Sequence, residues 1–321
     1  MKIYFCLEGL RIIREMLQGE LPHDEVFECA PARLAEVMGE ADVLIPTLTP
    51  ITETLLAGSK VRLVQQFGAG LDTVDIAAAT RLGIPVANVP AAGTGNAESV
   101  AELAVLLMLA LARQFPAAQE SVRQGRVATP TGWSLKGRTA VIVGYGGIGR
   151  EVARRLAGFE MRVLAVSRSG PKHSAEEDAI PVAAHYPESG LHDALREADF
   201  VVLAPPLNDA TRGLLGAAEF ALLKSSAYVV NIARGGVIDY DALLAALRDK
   251  RIAGAGLDVF WQEPMDPADP IFAYNVIGTP HIGGATDLSF RGIARKVAEN
   301  VERLRRGEMP VNCANPEAVR A

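Results

Sequence analysis

The stretch 141-VIVGYGGIGREVARRLAG-158 decides how the rest of the chain is read. Gly144, Gly146 and Gly149 fall in G-x-G-x-x-G order, after an apolar run and before a pattern that predicts a helix over 148–157. That is the setting a dinucleotide fingerprint requires. Gly144 allows the tight turn, Gly146 lets a pyrophosphate approach the backbone, and Gly149 lets strand and helix pack closely. The N–H groups of Gly147 and Ile148 then face the phosphates at the helix N-terminus. The competing readings are a glycine-rich turn without a ligand and a methyltransferase loop.

Outward from this stretch, short β-rich runs alternate with helical patterns. Strands are predicted at 3–6, 43–45, 62–66, 139–143, 162–166, 200–203, 228–232 and 254–258, and further helices at 191–197, 217–223 and 240–249. Such alternation predicts an α/β protein with parallel sheets covered by helices on both faces. Two glycine-rich joints, Gly93-Thr94-Gly95 and Gly283-Gly284, bracket the middle of the chain. They suggest a dinucleotide-binding domain over 94–286, inserted into a second domain made of 1–93 and 287–321. A length of 321 residues suits two domains of roughly 150 residues each.

Composition excludes several classes of function. A net charge of −6 argues against a nucleic-acid binder, which carries a concentrated basic face. Cys6, Cys29 and Cys313 lack CxxC or Cys/His spacing, so no metal site or disulfide framework is expected, and three thiols suit a reducing cytoplasm. The apolar part of 99-SVAELAVLLMLALARQF-115 runs only over 103–112, short of the ~20 residues that span a bilayer. It predicts a helix buried all round, in a core or against a second subunit.

Three further motifs weigh against the competing readings of the glycine stretch: 229-VVNIARGGVID-239, 254-GAGLDVFWQEP-264 and 278-GTPHIGGAT-286. With the loop 67-FGAGLDTVD-75 and 96-NAESVAELA-104, they resemble the D-isomer-specific 2-hydroxy acid dehydrogenase family, its glyoxylate/hydroxypyruvate reductases in particular. The resemblance covers most of the chain in the family's order. It implies two doubly wound parallel-sheet domains, a Rossmann cofactor domain inserted into a split flavodoxin-like substrate domain, and a homodimer formed largely through the helix after Asn96. It places the catalytic set at Arg234, Glu263 and His281, and assigns the amides of Ala69 and Gly70 to the substrate carboxylate. It extends the dinucleotide contacts to Val100, Pro206, Thr211, Ile232, Ala233, Asp258, His281 and Gly283, with Asp258 on the nicotinamide carboxamide.

The chemistry explains the three catalytic residue types. A 2-oxo acid accepts hydride at its carbonyl carbon while the oxygen gains a proton, so the site needs an acid that cycles near neutral pH, as imidazole does. A carboxylate on the other ring nitrogen favours the imidazolium and fixes its tautomer. Arg234 offers a planar fork of donors to a carboxylate and a carbonyl oxygen, which lysine does not. Trp133 and Trp261 read as packing residues.

The second strand ends in 167-SRS-169, where an NAD site places an acid about 20 residues beyond the fingerprint. Arg168, 168 − 149 = 19 residues after Gly149, pairs with a 2′-phosphate that an acid would repel, and Ser167 and Ser169 add hydroxyl donors. Lys172 adds a further cation. The expected cofactor is NADP(H), with NAD(H) as a lesser one. Two departures from the family touch the cofactor side: Ala204 where histidine is frequent and Asn208 where threonine is frequent. A dinucleotide-sensing corepressor and a formate- or phosphite-type dehydrogenase are the rival functions. The near absence of tails argues against the first, and the intact Arg234, Glu263 and His281 set against the second.

Overall fold

The computed structural model describes residues 1–168, 180 and 182–319. The chain divides into two compact units, 1–96 with 286–321, and 97–285.

The first unit carries five strands, Lys2–Phe5 (β1), Glu25–Glu28 (β2), Val43–Ile45 (β3), Leu63–Gln65 (β4) and Val86–Ala87 (β5). They pair in parallel in the order β2-β1-β3-β4-β5, the doubly wound flavodoxin-like order. The helix Asp287–Arg305, capped by Thr286 Oγ1 accepting from the Ser289 N–H, returns the chain to this unit. It buries Ile293, Ala294, Val297, Val301 and Leu304 at three- and four-residue spacing, against Ile3, Phe5, Ile45 and Leu63. Thr94 packs closely against this helix, since a Cβ on Gly292 would lie 2.0 Å from the Thr94 oxygen.

Among its described residues the second unit carries seven strands, Thr139–Val143 (β6), Arg162–Val166 (β7), Ala184–Tyr186 (β8), Phe200–Leu203 (β9), Tyr228–Asn231 (β10), Gly254–Leu257 (β11) and Val276–Gly278 (β12). All pair in parallel, in the order β12-β11-β10-β9-β6-β7-β8. Counted from β6, this is the Rossmann order with one strand added, and the order reverses between β6 and β9. Every residue of β6 and of β9 is buried, as sheets covered on both faces require. The helix Asn96–Ala112 packs Ala101, Ala104, Leu107, Met108 and Leu111 into one of the two cores. Within the single chain Leu106 stays 56% exposed. No single helix among the described residues is long and apolar enough to cross a membrane.

Candidate active site

The fingerprint turn lies where the strand order reverses. Gly144 has φ +93°, and a Cβ there would meet the Pro205 nitrogen at 2.5 Å; a Cβ on Gly149 would meet the Gly144 oxygen at 2.1 Å. Both positions exclude a side chain, the first also by its left-handed backbone. Gly146 differs, because a Cβ there would meet nothing within 4 Å. It stands before the helix Gly147–Ala157, whose first N–H groups have no partner within the helix. The space above Gly146 belongs to a cavity of about 300 Å³, lined by Gly144, Tyr145, Ser167, Arg168, Pro206 and Thr211, among others. A donor-rich helix end facing an open cradle fits a pyrophosphate. Arg168 is exposed at the end of β7, whereas Ser169 and Lys172 lie outside the described residues. The cavity also takes in Glu188, which follows β8, together with Ala204 and Asn208. Oδ1 of Asn208 accepts the Ala210 and Thr211 amides at 3.0 and 3.2 Å, so this side chain shapes its own loop.

Arg234, Glu263 and His281 come together at the ends of β10, β11 and β12. Buried Asn231 closes β10 by accepting the Ala233 N–H at 3.0 Å and donating to the Arg234 carbonyl at 2.9 Å, which fixes the turn that presents Arg234. Nη1 of Arg234 donates to the Ala233 carbonyl at 2.8 Å, orienting the guanidinium. Gly235 lets this turn approach the loop that carries Glu263: a Cβ there would lie 2.1 Å from the Phe260 carbonyl carbon. Glu263 Oε1 accepts the Phe260 N–H at 3.0 Å, while Oε2 lies 2.7 Å from Nδ1 of His281. Burial opposes the Glu263 charge, but the His281 contact, the Phe260 amide and the Arg234 charge outweigh it and hold the carboxyl below its usual range.

His281 sits at φ +55°, a conformation that costs energy for a residue with a side chain. Its N–H donates to the Asp258 carbonyl at 2.8 Å. Asp258, 2% exposed, also accepts Thr279 Oγ1 at 2.7 Å and the Ile282 N–H at 2.9 Å through Oδ1, and the Gly283 N–H at 2.8 Å through Oδ2. Burial raises its pKa despite these bonds and the His281 charge. Asp258 thus ties down the loop that carries His281, whatever further contact its carboxylate makes. Val100 lies beside Gly283, and Ile232 and Ala233 are buried in the turn before Arg234.

A family model for the D-isomer specific 2-hydroxyacid dehydrogenase NAD binding domain matches residues 105–283. The chain belongs to this family. The glyoxylate reductase of Thermococcus litoralis is 36% identical over 97% of this chain and 94% of its own length. The NADPH-dependent glyoxylate/hydroxypyruvate reductase of Sinorhizobium meliloti, solved in complex with NADP and malonate, has a TM-score of 0.84 at 27% identity, covering 99% of this chain and 97% of that one. Apo D-lactate dehydrogenase of Escherichia coli gives 0.82 and 26%, over 98% and 100% of the two chains. The protein is a D-2-hydroxyacid dehydrogenase whose cofactor is a nicotinamide dinucleotide.

The first unit of this dehydrogenase carries Ala69 and Gly70, the remaining residues singled out in the sequence. Gly68, at φ +143°, begins a loop whose carbonyls point backwards: Gly68 O accepts the Val89 N–H at 2.9 Å and Ala69 O accepts Asn88 Nδ2 at 2.7 Å. The N–H groups of Ala69 and Gly70 make no hydrogen bond among the described residues. Trp261 packs edge-on against Tyr240 and Trp133 tilts against Tyr228, so both indoles serve packing. Two further residues were given no role in the reading of the sequence. Glu188 enters the cavity beside the fingerprint because β8 lies beside β7, and Asn231 reads as one more strand residue until its two turn bonds are seen.

Proposed function

We propose that this dehydrogenase reduces a small 2-oxo acid, glyoxylate or hydroxypyruvate, to the D-2-hydroxy acid with NADPH as the preferred cofactor. The observation that carries the cofactor preference is Arg168, exposed on the wall of the dinucleotide cavity at the end of β7, where an NAD site holds an acid. The names of its relatives support the substrate class.

In this reading the bound reduced nicotinamide supplies the hydride to the carbonyl carbon. His281 passes a proton from Nε2 to the carbonyl oxygen, since Nδ1 is held by Glu263. The Glu263 carboxylate stabilises the imidazolium before transfer and draws a proton back from water afterwards. Arg234 orients the substrate by its carboxylate and carbonyl oxygen, and the amides of Ala69 and Gly70 are further carboxylate donors. Val100, Ile232, Ala233, Pro206, Thr211, Asp258 and Gly283 are assigned to the dinucleotide.

We also assign a homodimer formed largely through the helix after Asn96, on which Leu106 is 56% exposed. A panel of 2-oxo acids assayed with both reduced cofactors tests the activity. Comparable kcat/KM with formate or phosphite and an oxidised cofactor would overturn it. Light scattering tests the dimer, and a monomer at micromolar concentration would refute it.

A further inference from the structure

We infer that Gln66 and Asn88 are positioning residues that aim the Ala69 and Gly70 amides, an inference that rests on the reading of those amides as carboxylate donors. Gln66, 5% exposed, follows β4, and its side chain reaches both ways. Oε1 accepts the Phe67 N–H at 2.9 Å, and Nε2 donates to the Thr47 carbonyl at 3.0 Å. Thr47 follows β3 and sits at φ +55°. One buried amide therefore locks the loop after β3 to the loop after β4. The backbone of Gln66 is held as well, its carbonyl accepting Gln65 Nε2 at 3.0 Å and its N–H donating to Ala87 O at 2.8 Å. Asn88 supplies the second restraint through its bond to Ala69 O.

The directions of these bonds are the point. A peptide group presents its C=O and its N–H on opposite edges. Tying the Gly68 and Ala69 carbonyls towards 88–89 turns the following two N–H groups, those of Ala69 and Gly70, away from the body of the unit. Two adjacent amides held this way make a concave anion receptor. Water or a neighbouring carbonyl would otherwise compete for them, and a misplacement of about 1 Å costs up to ~10²-fold in rate.

The test uses four variants of the enzyme. Asn88→Ala deletes the bond to Ala69 O at a partly exposed position, and Asn88→Asp replaces it with repulsion between a carboxylate and a carbonyl. Gln66→Leu removes the buried bridge at similar volume. Ala69→Pro deletes the receptor N–H itself. The 2-oxo acid KM should rise in the order wild type, Asn88→Ala, Asn88→Asp, by about tenfold at the first step. The dissociation constant for the dinucleotide, read by fluorescence quenching, should stay within twofold, which a merely structural loss would not produce. Gln66→Leu, if folded, should behave as Asn88→Ala. If Ala69→Pro raises KM but Asn88→Ala and Asn88→Asp leave it unchanged, the positioning role is wrong and the carboxylate reading stands. If Ala69→Pro leaves KM unchanged, the carboxylate reading fails, and this inference with it.

Discussion

Oε2 of Glu263 lies 2.7 Å from Nδ1 of His281, and the other oxygen of the same carboxylate accepts the Phe260 N–H. The charged carboxylate is therefore the form the fold selects, and its pKa is depressed although burial opposes it. A folded-state pKa below the unfolded value contributes stability that is fully present above roughly pH 4.3, the unfolded value, and is lost as pH falls through the folded one. Glu263→Gln keeps the shape and abolishes this dependence. Urea midpoints measured from neutral pH into the acid range should fall more steeply for the wild type than for the variant. Parallel curves would mean that the carboxylate gains nothing from its partners.

Removal of the imidazole tests the proton donor. His281→Ala should lower kcat by about 10²- to 10⁴-fold, the usual worth of a general acid, with dinucleotide affinity nearly unchanged. Because His281 sits at φ +55°, the alanine variant also carries backbone strain. His281→Asn separates the two effects, since asparagine tolerates that conformation. Equal loss of kcat in both variants, with the asparagine form unfolding later than the alanine form, is the expected result. Near wild-type kcat in either variant would remove His281 from the acid role.

The fingerprint glycines separate folding from binding. Gly146 has φ −89°, and nothing lies where its Cβ would go, so Gly146→Ala should leave the unfolding midpoint within a degree or two of wild type. Its methyl group would enter the cradle above the helix N-terminus, and dinucleotide affinity should fall at least about tenfold. Gly149→Ala should do the reverse in kind, because its methyl would strike the Gly144 oxygen and unseat the helix, destabilising the unit by about 1–3 kcal/mol. Thermal unfolding and cofactor titration of the two variants check this. A Gly146→Ala enzyme that binds the dinucleotide normally would place the phosphates elsewhere.

What could be read from the sequence follows place in the sheet. The eight predicted strands all match interior strands of the two sheets, β1, β3, β4, β6, β7, β9, β10 and β11, which have neighbours on both sides. The four left unread, β2, β5, β8 and β12, are the four sheet edges. Glu25–Glu28 mixes exposed and buried residues, and Ala184–Tyr186 is only half-buried throughout, so neither carries the signal that marks a central strand. Arg234, Glu263 and His281 each sit in a motif that carries the family resemblance, and the fold brings the three together. Gln66, Asn88 and Glu188 were not legible, because each acts across neighbouring strands and so depends on sheet order rather than on local sequence.

Sheet order also sets up the last prediction, because it puts two opposite charges on one cofactor wall. Arg168 follows β7, Glu188 follows β8, and both line the cavity; neither makes a salt bridge among the described residues. A 2′-phosphate, carrying close to two negative charges, gains from the guanidinium and loses against the carboxylate, whereas a ribose 2′-hydroxyl is nearly indifferent to the first and accepted by the second. Arg168→Ala should lower kcat/KM with NADPH by about tenfold or more, the worth of one charge-assisted pair, while the value with NADH changes little. Glu188→Gln should move the ratio the other way, raising NADPH use relative to NADH. Because both groups are exposed, both shifts should shrink as salt is raised from about 0.01 M towards 1 M, where the screening length falls from about 30 to 3 Å. Steady-state kinetics with the two cofactors at two ionic strengths measures all of this. If Arg168→Ala leaves the NADPH/NADH ratio unchanged, or if the wild type uses NADH as well as NADPH at low salt, Arg168 does not read the 2′-phosphate. If only Glu188→Gln is silent, the acid faces solvent and the arginine alone sets the preference.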